Sequence, residues 1–168
     1  MDLLPEEDVI FDDDPMDVVE AVIASDTRFE IERYEDGDLI FSTKGAWCEV
    51  SGAFCWREEL PAVLMSVSFG LQAPEHCRVE AARLTALINE NLWFGHFDLW
   101  SEDGSVVFRH AIAMMGRGEL QPGEAQAMIA AALDAGDRFY PAYERVFVGG
   151  FTAEEAARAA IFETIGEA

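Results

Sequence analysis

The clearest hydrophobic pattern in the chain is an alternation of apolar positions with mostly small or polar ones between residues 63 and 72. Successive side chains of a strand point to opposite faces of a sheet, so this alternation predicts a strand with one buried face. The apolar positions are Val63, Met65, Val67, Phe69 and Leu71. Three further strands are predicted before it, over residues 29–34, 39–43 and 47–56.

Four helices are predicted around these strands. Asp14 is placed to cap the first helix, with Pro15 at its first position. The second helix is expected to end near Trp93, and its apolar positions recur at steps of three and four residues. They are Cys77, Ala81, Leu84, Ile88 and Leu92. The third begins near Pro122. Pro141 is expected to kink or interrupt it, because proline cannot donate to the carbonyl four residues earlier.

A hairpin is predicted between the second and third helices, with its turn at Gly104. A two-residue turn would place Asp98 opposite Arg109 and Trp100 opposite Val107. A three-residue loop would shift this register and break the pairing.

The last helix is predicted to start at Thr152, where Glu155 completes a capping box, and to end at Gly166. The complete order of elements is α-ββββ-α-ββ-α-α. Because strands follow one another in runs, this order favours an α+β fold with an antiparallel sheet flanked by helices. The length fits one domain over residues 15–168, preceded by an acidic mobile tail over residues 1–14.

Charge and cysteine content narrow the range of partners and compartments. The net charge of −22 repels phosphate groups, so neither nucleic acid nor an anionic membrane is an expected partner. The start of the chain lacks the positive region of a signal peptide, and no apolar run is long enough to insert into a membrane. Three scattered cysteines form no disulfide framework, so a reducing cytoplasm is expected.

A search for catalytic and metal-binding motifs gives no candidate. His76, His96 and His110 have no metal-ligand spacing. Cys48 and Cys55 are seven residues apart on one predicted strand, which directs them to opposite faces. No glycine-rich phosphate loop is present. We therefore expect no enzyme activity, no cofactor and no metal.

The tryptophans give the main indication of a binding surface. Exposed aromatic residues on a sheet face are typical of protein interfaces, although a second helix layer could cover the same face. Trp47 is predicted on the more polar face of the third strand. The candidate partner-binding residues are Trp47, Trp56, Trp93, Trp100, His96, Asp98 and Arg109.

Several sequence segments resemble one known family. The first is the run from Asn89 to Trp100, NENLWFGHFDLW, followed by Glu102-Asp103-Gly104 and Phe108-Arg109-His110. The others are Tyr140-Pro141-Ala142, Gly149 to Ala156 and Phe162 to Ala168. Together they resemble the YbjN-domain proteins, also called bacterial sensory transduction regulators. The resemblance implies a twisted antiparallel sheet like that of the type III secretion chaperones, often dimeric, with a regulatory or chaperone-like role and no catalytic residues.

Two functional hypotheses follow. The first is a protein-binding or regulatory module that forms a homodimer through an apolar sheet or helix surface. Within one chain, the first helix, the tail or the last helix could cover that surface instead. The second is a small-ligand-binding protein or minor enzyme with a pocket between sheet and helices, near His96, Asp98 and Arg109.

Overall fold

The computed structural model describes residues 14–59 and 61–165, with the side chains of the last helix as far as Ile161. The helices are α1 (Pro15–Ala24), α2 (Arg78–Asn89), α3 (Pro122–Phe147) and α4 (Ala153–Ile165), with a short 3-10 turn before α2. The strands are β1 (Glu30–Arg33), β2 (Leu39–Lys44), β3 (Glu49–Arg57), β4 (Ala62–Gln72), β5 (His96–Leu99) and β6 (Ser105–Ala113). The predicted tail, except Asp14, and the predicted stop at Gly166 lie outside the described residues.

The strands form one antiparallel sheet in the order β1-β2-β3-β4-β6-β5. Along the chain the elements follow the predicted order, so the α+β prediction is confirmed. The alternation in β4 has the predicted effect, because its five apolar residues are buried. At the helix starts, Asp14 accepts a hydrogen bond from the Met16 amide, and Thr152 and Glu155 form the predicted capping box.

Helices α1, α2 and α3 pack against one face of the sheet and share one continuous core with it. Helix α4 packs on α2 and α3, so it forms an outer layer. The largest buried side chains in this core include aromatic rings from both the sheet and α3. These are Phe41, Phe54, Phe97, Phe108, Phe139 and Tyr143. Neither α1 nor α4 covers the second face of the sheet, in contrast to two of the alternatives that the sequence left open.

The predicted register of the β5–β6 hairpin is wrong by two residues. Asp98 lies opposite Val107, and Arg109 lies opposite His96. The loop is longer than predicted, because the Trp100 amide donates to the Ser105 carbonyl and leaves four residues between them. The predicted ion pair still forms, on one sheet face and along the diagonal, with Arg109 Nη1 3.0 Å from Asp98 Oδ2.

Three predictions about element ends also need correction. Helix α3 runs through Pro141, so the predicted interruption is wrong, whereas a kink at Pro141 stays a prediction. Helix α2 ends at Asn89, so Trp93 lies beyond it in a loop. Strand β3 begins at Glu49, which leaves Trp47 in the preceding turn and not on a strand face.

Candidate protein-binding surface

The sheet face opposite the helices, here called the open face, is the largest candidate surface. The registers assign its side chains, because residues paired across strands share a face. One row across the sheet is Glu30, Ser42, Ser51, Ser68, Val107 and Asp98. The next is Glu32, Ile40, Ala53, Ser66, Arg109 and His96. Every helix that the structure describes lies on the other side of the sheet.

The open face is nearly neutral, in a chain whose net charge is −22. The strands direct four acidic and three basic side chains to it, and Asp38 reaches it from the β1–β2 turn to contact Cys55 and Arg57, which gives a net charge of −2. The charged strand residues are Glu30, Glu32, Glu49 and Asp98, with Lys44, Arg57 and Arg109. The centre consists of small serine and alanine side chains with Leu64 and with Val107, which its neighbours bury. The excess negative charge therefore lies elsewhere on the molecule.

The free edge of β5 is closed by a side chain from α2. The amide of Asn89 both donates to the Phe97 carbonyl, at 2.9 Å, and accepts from the Phe97 backbone N–H, at 2.8 Å. This pair of bonds occupies the backbone groups of Phe97, which an added strand would otherwise use. Backbone pairing with the β5 edge is therefore hindered at Phe97.

His96, Asp98 and Arg109 form a polar cluster at the β5 side of the open face. Asp98 Oδ2 lies 3.0 Å from Arg109 Nη1 and 3.5 Å from His96 Nε2. All three side chains point away from the helices, because Phe97 and Phe108 occupy the alternate, buried positions. The predicted pocket between sheet and helices near these residues is therefore wrong, although the three residues do come together.

The four tryptophans lie in four different environments. Trp56 is half-buried on the helix side of β3, as predicted from its strand position. Trp47 packs on α3, and its indole Nε1 donates to the Asp137 carbonyl at 2.7 Å. Trp100 follows β5 and is half exposed, whereas Trp93 is 96% exposed. The structure does not unite them into one aromatic surface, and their role in binding stays a prediction.

The cysteines and the partly buried histidine of the sheet are poorly suited to nucleophilic chemistry. Burial, with a hydrogen bond to Asp38, raises the pKa of Cys55 to about 11. Burial also raises the pKa of Cys48 and lowers the pKa of His110. A thiol reacts as its thiolate, so the raised pKa values make both cysteines unreactive near neutral pH. Within the part of the chain that the structure describes, no group of three His, Cys, Asp or Glu side chains could hold a metal.

A shallow depression of about 500 Å³ lies at the turn between β2 and β3, at the other end of the sheet from β5. Its lining includes Arg28, Lys44, Trp47, Cys48 and Glu49. It opens widely to solvent and brings together no arrangement of acid, base and nucleophile. It therefore supports no specific chemistry.

Two functional features were not recognised from the sequence. The near-neutral open face is signalled by Ser42, Ser51, Ser66 and Ser68, which fall at alternate positions of three strands. Its extent depends on the packing of the described helices on one side of the sheet, which the serine positions alone do not specify. The closure of the β5 edge by Asn89 has no periodic signal, because it depends on how α2 lies beside β5.

Comparisons with known proteins give one family. The family model YbjN, described as "Putative bacterial sensory transduction regulator", matches residues 15–145. A search of the curated proteins finds no match. One similar solved structure is a crystal structure of the ExsC-ExsE complex, with 15% sequence identity and a TM-score of 0.39 over 75% of this chain and 96% of that chain. No helix among the described residues has the length and apolar character needed to cross a membrane.

Proposed function

The chain belongs to the YbjN family, and from that premise we propose that it is a non-enzymatic regulatory module that acts by binding another protein. We place it in the bacterial cytoplasm, as one domain over residues 15–168. The free thiols of Cys48, Cys55 and Cys77 are compatible with a reducing compartment.

The observation that carries this proposal is the open face, which supports contact with a protein surface. Capture from the host tests for a partner other than the chain itself, and the mass in solution tests for a second copy. A six-stranded sheet normally has at least one face packed on a core, and the other can face water when it is polar. Here the second face combines small side chains with almost no net charge. A surface that served only solubility would carry the same acidic excess as the remainder of the chain. Protein contact explains why it does not.

We propose a second copy of the chain as the occupant of the open face. Two molecules of charge −22 repel each other, and the repulsion is weakest where the facing surfaces are neutral. Six strands spaced ~4.8 Å apart, with central strands ~30 Å long, offer on the order of 800 Å² per copy. That is the size of a standard interface, about 800 Å² per partner. The product would be a homodimer whose helix layers face outward.

Affinity capture from the cytoplasm of the protein's own host tests the binding function. The tagged chain is expected to recover the same second protein in replicate captures analysed by mass spectrometry. A capture with an unrelated protein of similar negative charge is the control, because any strongly acidic chain retains basic proteins. A preparation that reproducibly contains only the chain itself would contradict the proposed function.

A further inference from the structure

Trp93 and Phe94 are the most exposed neighbouring aromatic residues that the structure describes. Trp93 is 96% exposed and Phe94 is 66% exposed. A tryptophan side chain can bury 150–250 Å² of largely apolar surface, roughly, so leaving it in water forgoes a large stabilising term. Side chains of this kind are enriched at the centres of protein interfaces.

The loop that carries these two residues is held in place. Backbone hydrogen bonds run from Asn91 to the Ile88 carbonyl, at 2.9 Å, and from Leu92 to the Asn89 carbonyl, at 3.3 Å. Gly95 has φ +68°, and a Cβ there would lie 2.3 Å from the Phe108 ring. Only glycine fits this position, so the backbone after Phe94 is fixed against β6.

The Phe94 side chain also packs against the sheet. The Phe94 ring meets the His110 ring edge to face, with the ring centroids 6.2 Å apart. The Asn89 side chain anchors Phe97 three residues later. Because the loop backbone is already ordered, a partner that binds these side chains does not have to order the backbone as well.

The end of helix α2, which precedes Trp93, carries negative charge and has no basic residue to neutralise it. Helix α2 ends at Asn89 with Glu90 as its C-cap and with no basic residue in its last turn. The C-terminal end of a helix carries a partial negative charge that favours cations. Exposed Glu90 adds a full negative charge at the same end. A cationic group there is attracted by both the helix end and the Glu90 carboxylate.

We propose that Trp93 and Phe94 form an anchor for a basic segment of the partner protein, with an arginine or lysine side chain over the Trp93 indole and within reach of Glu90. The inference rests on the proposed function and specifies the partner's chemistry. Tryptophan is the best aromatic partner for a cation. The net charge of −22 would draw a basic segment toward the chain from a distance.

Calorimetric titration with a short synthetic oligo-arginine peptide tests the anchor. Trp93→Ala is expected to weaken binding about fivefold, which is the size of one cation–π contact. Trp93→Leu keeps an apolar side chain but removes the indole, and it is expected to bind as weakly as Trp93→Ala. Since Trp93 makes little contact with the fold, the thermal midpoint of both variants should equal that of the unmodified chain.

Tyr34→Ala is the matched control. Tyr34 is a half-exposed aromatic residue at the opposite edge of the sheet, next to Glu35 and Asp36. If attraction to any exposed ring in an acidic region were sufficient, this variant would lose as much affinity as Trp93→Ala. Equal losses in the two variants, or no loss in Trp93→Ala, would overturn the anchor.

The same variants separate this inference from the proposed function. Unchanged peptide affinity in Trp93→Ala, with a protein partner still captured from the host, overturns the anchor alone. A selective loss in Trp93→Ala supports the anchor even where host capture yields no partner, a result that counts against the proposed function and not against the anchor.

Discussion

The indole of Trp47 hydrogen-bonds to the backbone carbonyl of Asp137, with 2.7 Å between Nε1 and the oxygen. In an uninterrupted helix that carbonyl would accept from the residue at position 141, which is Pro141 and has no N–H. The Asp137 carboxylate in turn accepts from the Ala46 amide at 3.0 Å, and the Trp47 ring stacks on Tyr140. The turn between β2 and β3 thus supplies the hydrogen bond that proline removes from α3.

Trp47→Phe is predicted to destabilise the fold by about 1 kcal/mol, because it keeps a stacking ring but leaves the Asp137 carbonyl without its donor. The cost should shrink in a Pro141→Ala background, where the restored backbone N–H can bond to the same carbonyl. A double-mutant cycle by urea denaturation measures the coupling. Equal costs in both backgrounds would show that the two residues act independently.

Asn89→Asp is predicted to cost about 1–3 kcal/mol, because the carboxylate cannot donate to the Phe97 carbonyl and would leave it unpaired. Asn91→Asp is the matched control. It adds the same charge near the same helix end but removes only an exposed bond to Leu87. Urea denaturation should give the larger loss for position 89, and similar losses would contradict a specific role in closing the β5 edge.

Gly136→Ala is predicted to destabilise the fold by about 1–3 kcal/mol through overpacking. A Cβ at this position would lie 2.1 Å from the Phe69 ring, where α3 approaches β4. Gly123→Ala, near the start of the same helix, meets open space and should stabilise the chain by up to about 1 kcal/mol. Thermal unfolding of the two variants should therefore shift in opposite directions.

Acid should weaken the fold through His110. Burial lowers the pKa of His110 in the folded chain below its ordinary value of 6.5. As the pH falls, the unfolded chain therefore binds a proton at His110 before the folded chain does. The free energy of unfolding has its full value above about pH 6.5 and decreases as the pH falls below it. Replacement of His110 by Gln should flatten the decline in unfolding free energy as the pH falls below about 6.5. The same decline in both proteins would exclude His110 as its source.

Local patterns in the sequence predicted most of the fold, because they depend on neighbouring residues. The alternation in β4 and the caps at Asp14 and Thr152 are of this kind. The hairpin register failed because Asp103 and Gly104 indicate a turn without fixing its length. The donor that replaces the missing Pro141 N–H in α3 comes from Trp47, which lies 94 positions earlier, and no local pattern carries that information.

The candidate site was predicted less completely than the fold. The cluster of His96, Asp98 and Arg109 was identified, but its position on the open face required the sheet registers. The tryptophans were treated as one group, whereas Trp47 has a structural role and Trp93 is almost fully exposed. Composition indicates that aromatic residues are available for binding, and only the packing decides which of them reach solvent.

Light scattering in physiological salt tests the role of the open face most directly. At tens of micromolar the chain is expected to have twice its mass of 18.6 kDa. Ser51→Glu and Ala111→Glu add a negative charge to the open face and should shift the mass toward the monomer. Ala130→Glu adds the same charge at an exposed position of α3 and should leave the dimer intact. A monomer mass for the unmodified chain, or an equal shift with Ala130→Glu, would contradict the open face as the dimer interface.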